Sequence, residues 1–289
     1  MLDRPPRLRE LLPDVLRRAR SQPQGSIPEG RDLPALRVVL GPTAIDPAKA
    51  SAYARSCGAR YDGRALPPVF PESLFLPLLM QVAVHPDFPL SPLGLIHTAQ
   101  RFVSHRPLRT HERPRLEAWL ASAQADDRGV RIVAGMSVEV DGERVWEGEG
   151  EMLSRSPRPK SARTHADKPV PPSQGIALHA PADIGRRFAR ATGDFNPHHL
   201  WPGTARLLGF ERPIAHGMWT LARIFALLDE RLPRGGPVRA DVRFKVPLFL
   251  PGDAILLAGA PGGATPGIPI QLLRPETGAP HLVGTIGHP

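Results

Sequence analysis

The stretch Ala191-Thr192-Gly193-Asp194-Phe195-Asn196-Pro197-His198-His199 sets a carboxylate and an imidazole on either side of an Asn-Pro step. Proline fixes φ and asparagine tolerates unusual dihedrals, so the backbone turns here and aims Asp194 and His199 at one point. Converging, the two side chains form a general acid/base pair, the equipment for moving a proton to or from a carbon beside a carbonyl. Taken bare, the Gly-Asp-x-Asn pattern is also an Asx-turn or a helix stop, so its surroundings must decide.

Upstream, residues 181–192 are predicted as a short helix. Pro181 suits the first turn, Asp183 favours the positive end of the dipole, and Ile184, Phe188 and Ala191 recur on one face. Gly193 is its expected C-terminal stop. Downstream, residues 200–212 are a Pro/Gly-punctuated loop leading into Pro213-Ile214-Ala215-His216-Gly217-Met218-Trp219, from which an apolar helix is expected to run to about residue 232.

A short helix, a D-x-N-P-x-H loop and an I-A-H-G-M helix entry, in that order, resemble the MaoC-like (R)-specific enoyl-thioester hydratases and 3-hydroxyacyl-thioester dehydratases. The resemblance implies a reversible hydration linking trans-2-enoyl and (R)-3-hydroxyacyl thioesters. It makes Asp194 and His199 the acid/base dyad, Asn196 the helper that orients water or hydroxyl, and the Gly217 N–H the oxyanion donor. That amide begins a helix, where backbone N–H groups lack partners and the dipole favours negative charge. His216, Met218 and Trp219 become residues of the substrate site, with His216 holding the turn. No metal and no separate cofactor is expected; coenzyme A or phosphopantetheine arrives as part of the substrate.

From residue 36 onward the chain reads as a diverged internal repeat. Tyr53-Ala54-Arg55-Ser56-Cys57-Gly58 can be laid over Phe188-Ala189-Arg190-Ala191-Thr192-Gly193. Each copy has a β-like stretch before it (36–40; 176–179), then a turn-rich loop and a buried helix (about 71–84; 213–232). Residues 103–108 parallel 243–248 as a strand broken by proline. Where the second copy has Asp194, Asn196 and His199 the first has Ala59, Tyr61 and Arg64, and near Gly217 it has Leu74, so the first copy lacks the dyad. Pro77 is expected to interrupt the helix of the first copy.

Alternation in 131–140 and 144–153 around Asp141-Gly142 signals a hairpin, and 238–250, 254–260, 268–274 and 282–287 supply the later strands. The expected class is α+β, a tandem (double) hotdog in which each half is an antiparallel sheet wrapped around a long central helix. The divisions are a basic amphipathic segment and lead-in at 1–34, a degenerate hotdog at 35–153, a Ser/Pro/Arg/Lys-rich linker at 154–174 and a catalytic hotdog at 175–289. The first segment carries Leu8, Leu11, Leu12, Val15 and Leu16 at helical spacing, with Pro13 expected to bend it, and is expected to pack on its own domain. The two halves are expected to pair as an intrachain pseudo-dimer, with a homodimer possible beyond that.

Length and composition agree: 289 residues with 41% hydrophobic content suffice for a large core. The longest apolar run, 74–84, contains Pro77 and Gln81 and falls short of a membrane span, and no secretory signal is read at the start. A single cysteine, Cys57, excludes an intrachain disulfide and a Cys-clustered zinc site. The expectation is a cytoplasmic protein. The formal charge of +9 is dispersed arginine without a nucleic-acid motif, so nucleic acid is not expected, whereas coenzyme A or an acidic acyl carrier protein would suit it. His97, His105 and His111 lack an acidic partner at a telling spacing and read as surface or packing residues. Cys57 reads as a buried inert thiol, Ser73 and Ser154 lack nucleophile-elbow glycines, and no phosphate-binding fingerprint occurs. Two other functions fit less well: a silent acyl-thioester-binding subunit, which the intact dyad disfavours, and a hotdog thioesterase.

Overall fold

The computed structural model describes residues 1–6, 8–22, 25, 27, 33–156, 171–233, 235–260 and 267–288. Residues 157–170 of the expected linker lie outside the described residues, as do 23–24, 26 and 28–32 of the lead-in.

Helix α1 (Leu8–Ser21) contains Pro13 and packs on its own domain as expected: Leu11 and Val15 form a cluster with Val84, against Met80. Arg18 reaches into the same region, donating to the carbonyls of Pro86 and Phe88. Leu12 and Leu16, by contrast, stay exposed. Strand β1 (Arg37–Leu40) leads to α2 (Pro47–Cys57). Asp46 caps α2 through Ala48 N and Lys49 N, Pro47 starts it where a missing N–H costs nothing, and Gly58 stops it at φ 66°. The expected helix at 71–84 arrives as a 3-10 turn, Phe70–Leu74, followed by α3 (Leu76–Ala83). Pro77 therefore opens α3 rather than interrupting it, since in the first turn its ring displaces no helical hydrogen bond.

Four long strands follow: β2 (Leu95–Ser104), β3 (Arg115–Asp126), β4 (Gly129–Val140) and β5 (Glu143–Arg155). Asp141 at φ 50° and Gly142 at φ 83° make the β4/β5 turn that their sequence signals. Strand β3 was not expected: its Leu, Glu, Ala and Gln are good helix formers. It is held by eleven residue pairs with β4, broken once at Leu120/Ser122, that override that preference.

Next come β6 (Ile176–Ala180) and α4 (Ile184–Thr192). The latter starts three residues after Pro181, whose carbonyl accepts from Ile184 N, and Gly193 stops it at φ 87°. Within the expected loop 200–212 a short helix forms, α5 (Pro202–Leu207). Helix α6 spans Gly217–Leu227, later than expected because Ile214 bridges Phe249 in extended form and Ala215 N donates to Leu248 O. Its residues 218–222, 224 and 225 are all buried, which marks a helix enclosed on nearly every side. Strands β7 (Val238–Phe244), β8 (Gly252–Ala258), β9 (Ile268–Leu273) and β10 (Pro280–Gly287) complete the chain; β7 ends before Pro247 instead of running to residue 250.

The chain divides into two compact units that do not follow chain order: Met1–Ala44, Leu74–Phe102 and Arg113–Asp167 in one; Ile45–Ser73, Val103–Glu112 and Lys168–Pro289 in the other. In the first the strands are ordered β1-β3-β4-β5-β2, with β3, β4 and β5 antiparallel. Phe75 and Phe102 stack on Trp146 there, and Val82 and Ala83 of α3 pack with Leu36, Leu120, Val130 and Ile132. In the second the order is β7-β10-β9-β8-β6, all antiparallel. Here α2 packs against α4 and α6, with Tyr53 against Phe188 at 5.5 Å and the Trp219 indole N–H donating to Ser56 O at 2.9 Å.

Candidate active site

The Asp194 loop is set by local chemistry. Gly193 ends α4 in the left-handed region, Asp194 N donates to Thr192 Oγ1, and Asn196 N donates to Asp194 Oδ1 at 3.2 Å. That last bond is an Asx-turn, in which Asp194 Oδ1 shapes the loop. Pro197–His199 form one 3-10 turn, and His199 N donates to Asn196 O.

His199 is buried, and its Nδ1 lies 2.8 Å from Ile214 O. A carbonyl only accepts, so Nδ1 carries the proton and Nε2 keeps the lone pair. His216, also buried, donates from Nε2 to the backbone carbonyl of Asp194 at 3.0 Å, with Asp194 Oδ2 3.8 Å away. Its ring stacks on His199 at 3.6 Å and 26°, with Phe188 packed 5.0 Å from it. His216 thus ties the backbone carbonyl of Asp194 to the ring of His199.

Burial pushes His199 well below the ordinary imidazole range, helped by His216 and His198 and opposed by Asp194 and the Ile214 bond. Burial takes His216 down to about 3. Both rings are therefore neutral near pH 7, which leaves the His199 Nε2 lone pair unprotonated. Donor atoms of Asp194, His199 and His216 lie within 4.8 Å of one another, a spacing compatible with a metal ion. The ring arrangement fits that use poorly, because lone pairs lie in the ring planes and two nearly parallel planes do not aim them at one ion.

Asn196 is exposed. Gly217 is the first residue of α6; a Cβ there would come within 2.9 Å of the Phe244 ring, so close packing against β7 requires glycine as much as any approach by substrate does. Met218 and Trp219 are buried behind it. His97 is half-buried, while His105 and His111 are exposed. Cys57 is fully buried, and burial raises its thiol to about 12, so it is inert at neutral pH.

Two residues of the site were not legible in the sequence. Gly185 of α4 faces the His199 backbone, and a Cβ there would lie 1.9 Å from His199 O. Glu72, half-buried in the 3-10 turn Phe70–Leu74, is brought within electrostatic reach of Asp194; loss of solvent around it, then the Asp194 charge, raises its carboxyl to about 8. The one signal was an acid inside the apolar run 69–79. With a folded value above the ordinary 4.5, the neutral carboxyl suits the fold at low pH, and its stabilising contribution is lost as pH rises toward about 8. Glu72→Gln, neutral throughout, is expected to gain Tm relative to the unmodified protein progressively between about pH 5 and about pH 8. A Tm difference that stays flat across that range would contradict it.

A family model described as a MaoC like domain matches residues 159–258. The 3-hydroxyacyl-thioester dehydratase X of Mycobacterium tuberculosis is 32% identical over 268 residues, covering 90% of this chain and 92% of that protein. The (R)-specific enoyl-CoA hydratase of Aeromonas caviae is 41% identical over 70 residues, 24% of this chain and 52% of that one. Among solved structures, HtdX of M. tuberculosis superposes with a TM-score of 0.75 at 31% identity, covering 88% of this chain and all of that one. An M. tuberculosis protein described as having a double hotdog fold matches with a TM-score of 0.52 over 93% of this chain and 97% of its own, at 12% identity, a likeness of fold alone. The α+β double hotdog expected from the sequence is the fold found.

Proposed function

Since this chain belongs to the MaoC-like dehydratase family, on 32% identity to a relative over 90% of its length, we propose that Asp194 and His199 are its acid/base dyad. It is a hydro-lyase of thioester metabolism, interconverting trans-2-enoyl and (R)-3-hydroxyacyl thioesters. In dehydration the pair, with no proton to spare at the start, takes the C2 proton and returns it to the C3 hydroxyl, which leaves as water while the C2–C3 double bond forms and the pair ends as it began; hydration reverses each step. Charge gathering on the thioester oxygen is received by the Gly217 N–H at the start of α6, a fixed donor at the positive end of a helix dipole. Asn196 orients the water or hydroxyl, and His216, Met218 and Trp219 back the acyl thioester.

The observation that carries this reading is the convergence of Asp194 and His199, with His199 neutral and its Nδ1 engaged so that Nε2 faces the chemistry. Proton transfer by this pair calls for no metal and no redox group; the thioester brings its own coenzyme A or phosphopantetheine. We read residues 35–153 as a degenerate repeat, 154–174 as a linker and 175–289 as the catalytic repeat, paired as an intrachain pseudo-dimer. Among the described residues no helix is long and apolar enough to cross a membrane, and we place the protein in the cytoplasm.

The test is incubation of the purified protein with a trans-2-enoyl-CoA. Loss of the enoyl-thioester absorbance with formation of the (R)-3-hydroxyacyl product is expected. Unchanged absorbance would sink the reading, and release of thiol without hydrated product would replace it with thioester hydrolysis.

A further inference from the structure

The loop that carries His199 runs straight into a surface that solvent alone does not explain. Phe195, Trp201, Leu207 and Leu208 are 55%, 53%, 86% and 51% exposed, and of residues 201–209 only Ala205 is buried, with Thr204 half-buried. Four large apolar side chains exposed so near one another in the chain mark an interaction surface rather than scattered exposure. Cations accompany them. Arg186 lies 4.1 Å over the Trp201 ring while donating to Leu200 O, and Arg206 and Arg190 are exposed. None of these three arginines is in an ion pair among the described residues, whereas Arg187 and Arg212 have acidic partners, Asp183 and Glu211.

This surface is held fast to the dyad. Thr204 Oγ1 donates to Pro197 O at 2.7 Å, Phe210 packs 5.3 Å from His198, and Ile214 N donates to His198 O. Anything bound on α5 is thereby placed in a fixed relation to His199.

We propose that the α5 face, which exposes Trp201, Leu207, Leu208 and Arg206 and has Arg186 stacked on Trp201, docks an acidic, phosphopantetheine-bearing carrier protein that delivers the acyl thioester to the dyad. The proposal rests on the hydratase reading and names the carrier for it. Unpaired arginines select an acidic partner. Shape selects a protein over the nucleotide end of coenzyme A: a polar nucleotide gains little from a leucine exposed to 86%, while an acidic helix with an apolar groove buries it. Open space above Gly203 and Gly209, where an added Cβ would touch nothing, leaves room for such a helix.

The experiment compares the same trans-2-dodecenoyl group carried on coenzyme A and on a purified bacterial acyl carrier protein, using the full chain and its Leu207→Ser/Arg206→Glu variant. On the carrier-protein substrate, kcat/KM is expected to fall at least about tenfold, mainly through KM, with the coenzyme A substrate within about twofold. Raised salt should weaken the unmodified protein on the carrier-protein substrate alone. Equal loss on both substrates, loss confined to the coenzyme A substrate, or no loss would overturn the docking proposal and leave the hydratase reading intact. Self-association that the variant abolishes would assign the face to a second copy of this chain and overturn it too. An unmodified protein inert on both thioesters would bring down the hydratase reading, and this proposal with it.

Discussion

Asp194→Asn and His199→Ala are each expected to slow hydration of a trans-2-enoyl thioester by at least about a hundredfold, the scale of losing a positioned general acid or base. Asp194→Asn is the cleaner change. The amide oxygen of asparagine can still accept from Asn196 N, as Asp194 Oδ1 does at 3.2 Å, and the main-chain carbonyl still receives His216. The loop is kept and the charge is lost. His199→Ala additionally leaves Ile214 O without its imidazole donor and strips His216 of its stacking partner, so a lower Tm should accompany lost turnover. Since the two residues act as a unit, the double variant should fall well short of the product of the single effects. Turnover near normal in Asp194→Asn, with the variant folded, would remove Asp194 from the dyad.

A large effect is also expected from a residue with no chemistry of its own. By helix propensity alone Gly185→Ala in α4 should stabilise by about 1 kcal/mol. Sterics oppose this, since the new Cβ would stand 1.9 Å from the His199 carbonyl oxygen and 3.4 Å from Leu250 Cδ1. Backbone, unlike the end of a flexible side chain, does not swing aside, so α4 and the 3-10 turn must separate. Overpacking of this kind costs about 1–3 kcal/mol, and steric cost wins over propensity. A shift of order 1 Å at His199 is worth about a hundredfold in rate. The signature is lost kcat with a lowered Tm, without any change in the groups that titrate. Unimpaired catalysis by Gly185→Ala would show that His199 does not depend on this contact.

Much of the molecule is legible because its signals are local. Gly193 ends α4 and Gly58 ends α2 in the left-handed region, where glycine pays no steric cost, and Asp141-Gly142 turns β4 into β5 for the same reason. The Asn-Pro step bends the chain between Asp194 and His199. The apolar character of α6 requires burial before any neighbour is known. Motif order then carried the family, the α+β double hotdog and the reaction.

Where such rules misplaced an element, a longer-range contact had decided. Residues 115–126, which carried no strand signal of their own, became β3 because pairing with β4 along nearly their whole length outweighs weak propensities. Pro77 starts a helix rather than breaking one because Phe70–Leu74 turns separately ahead of it. Residues 213–215 stay extended because 248–250 offers them backbone partners.

From the sequence alone follow the residue types at the site, the turn that presents them and the fold that turn belongs to, since each depends on φ preferences and apolar periodicity over a few residues. Tertiary structure alone decided that His216 stacks on His199 and holds Asp194, that Glu72 from the first repeat stands within reach of Asp194, and that Gly185 leaves room for the His199 backbone. Those contacts join segments far apart in the chain, and burial and distance, which set both the pKa of an imidazole and the room for a Cβ, exist only once the segments have packed.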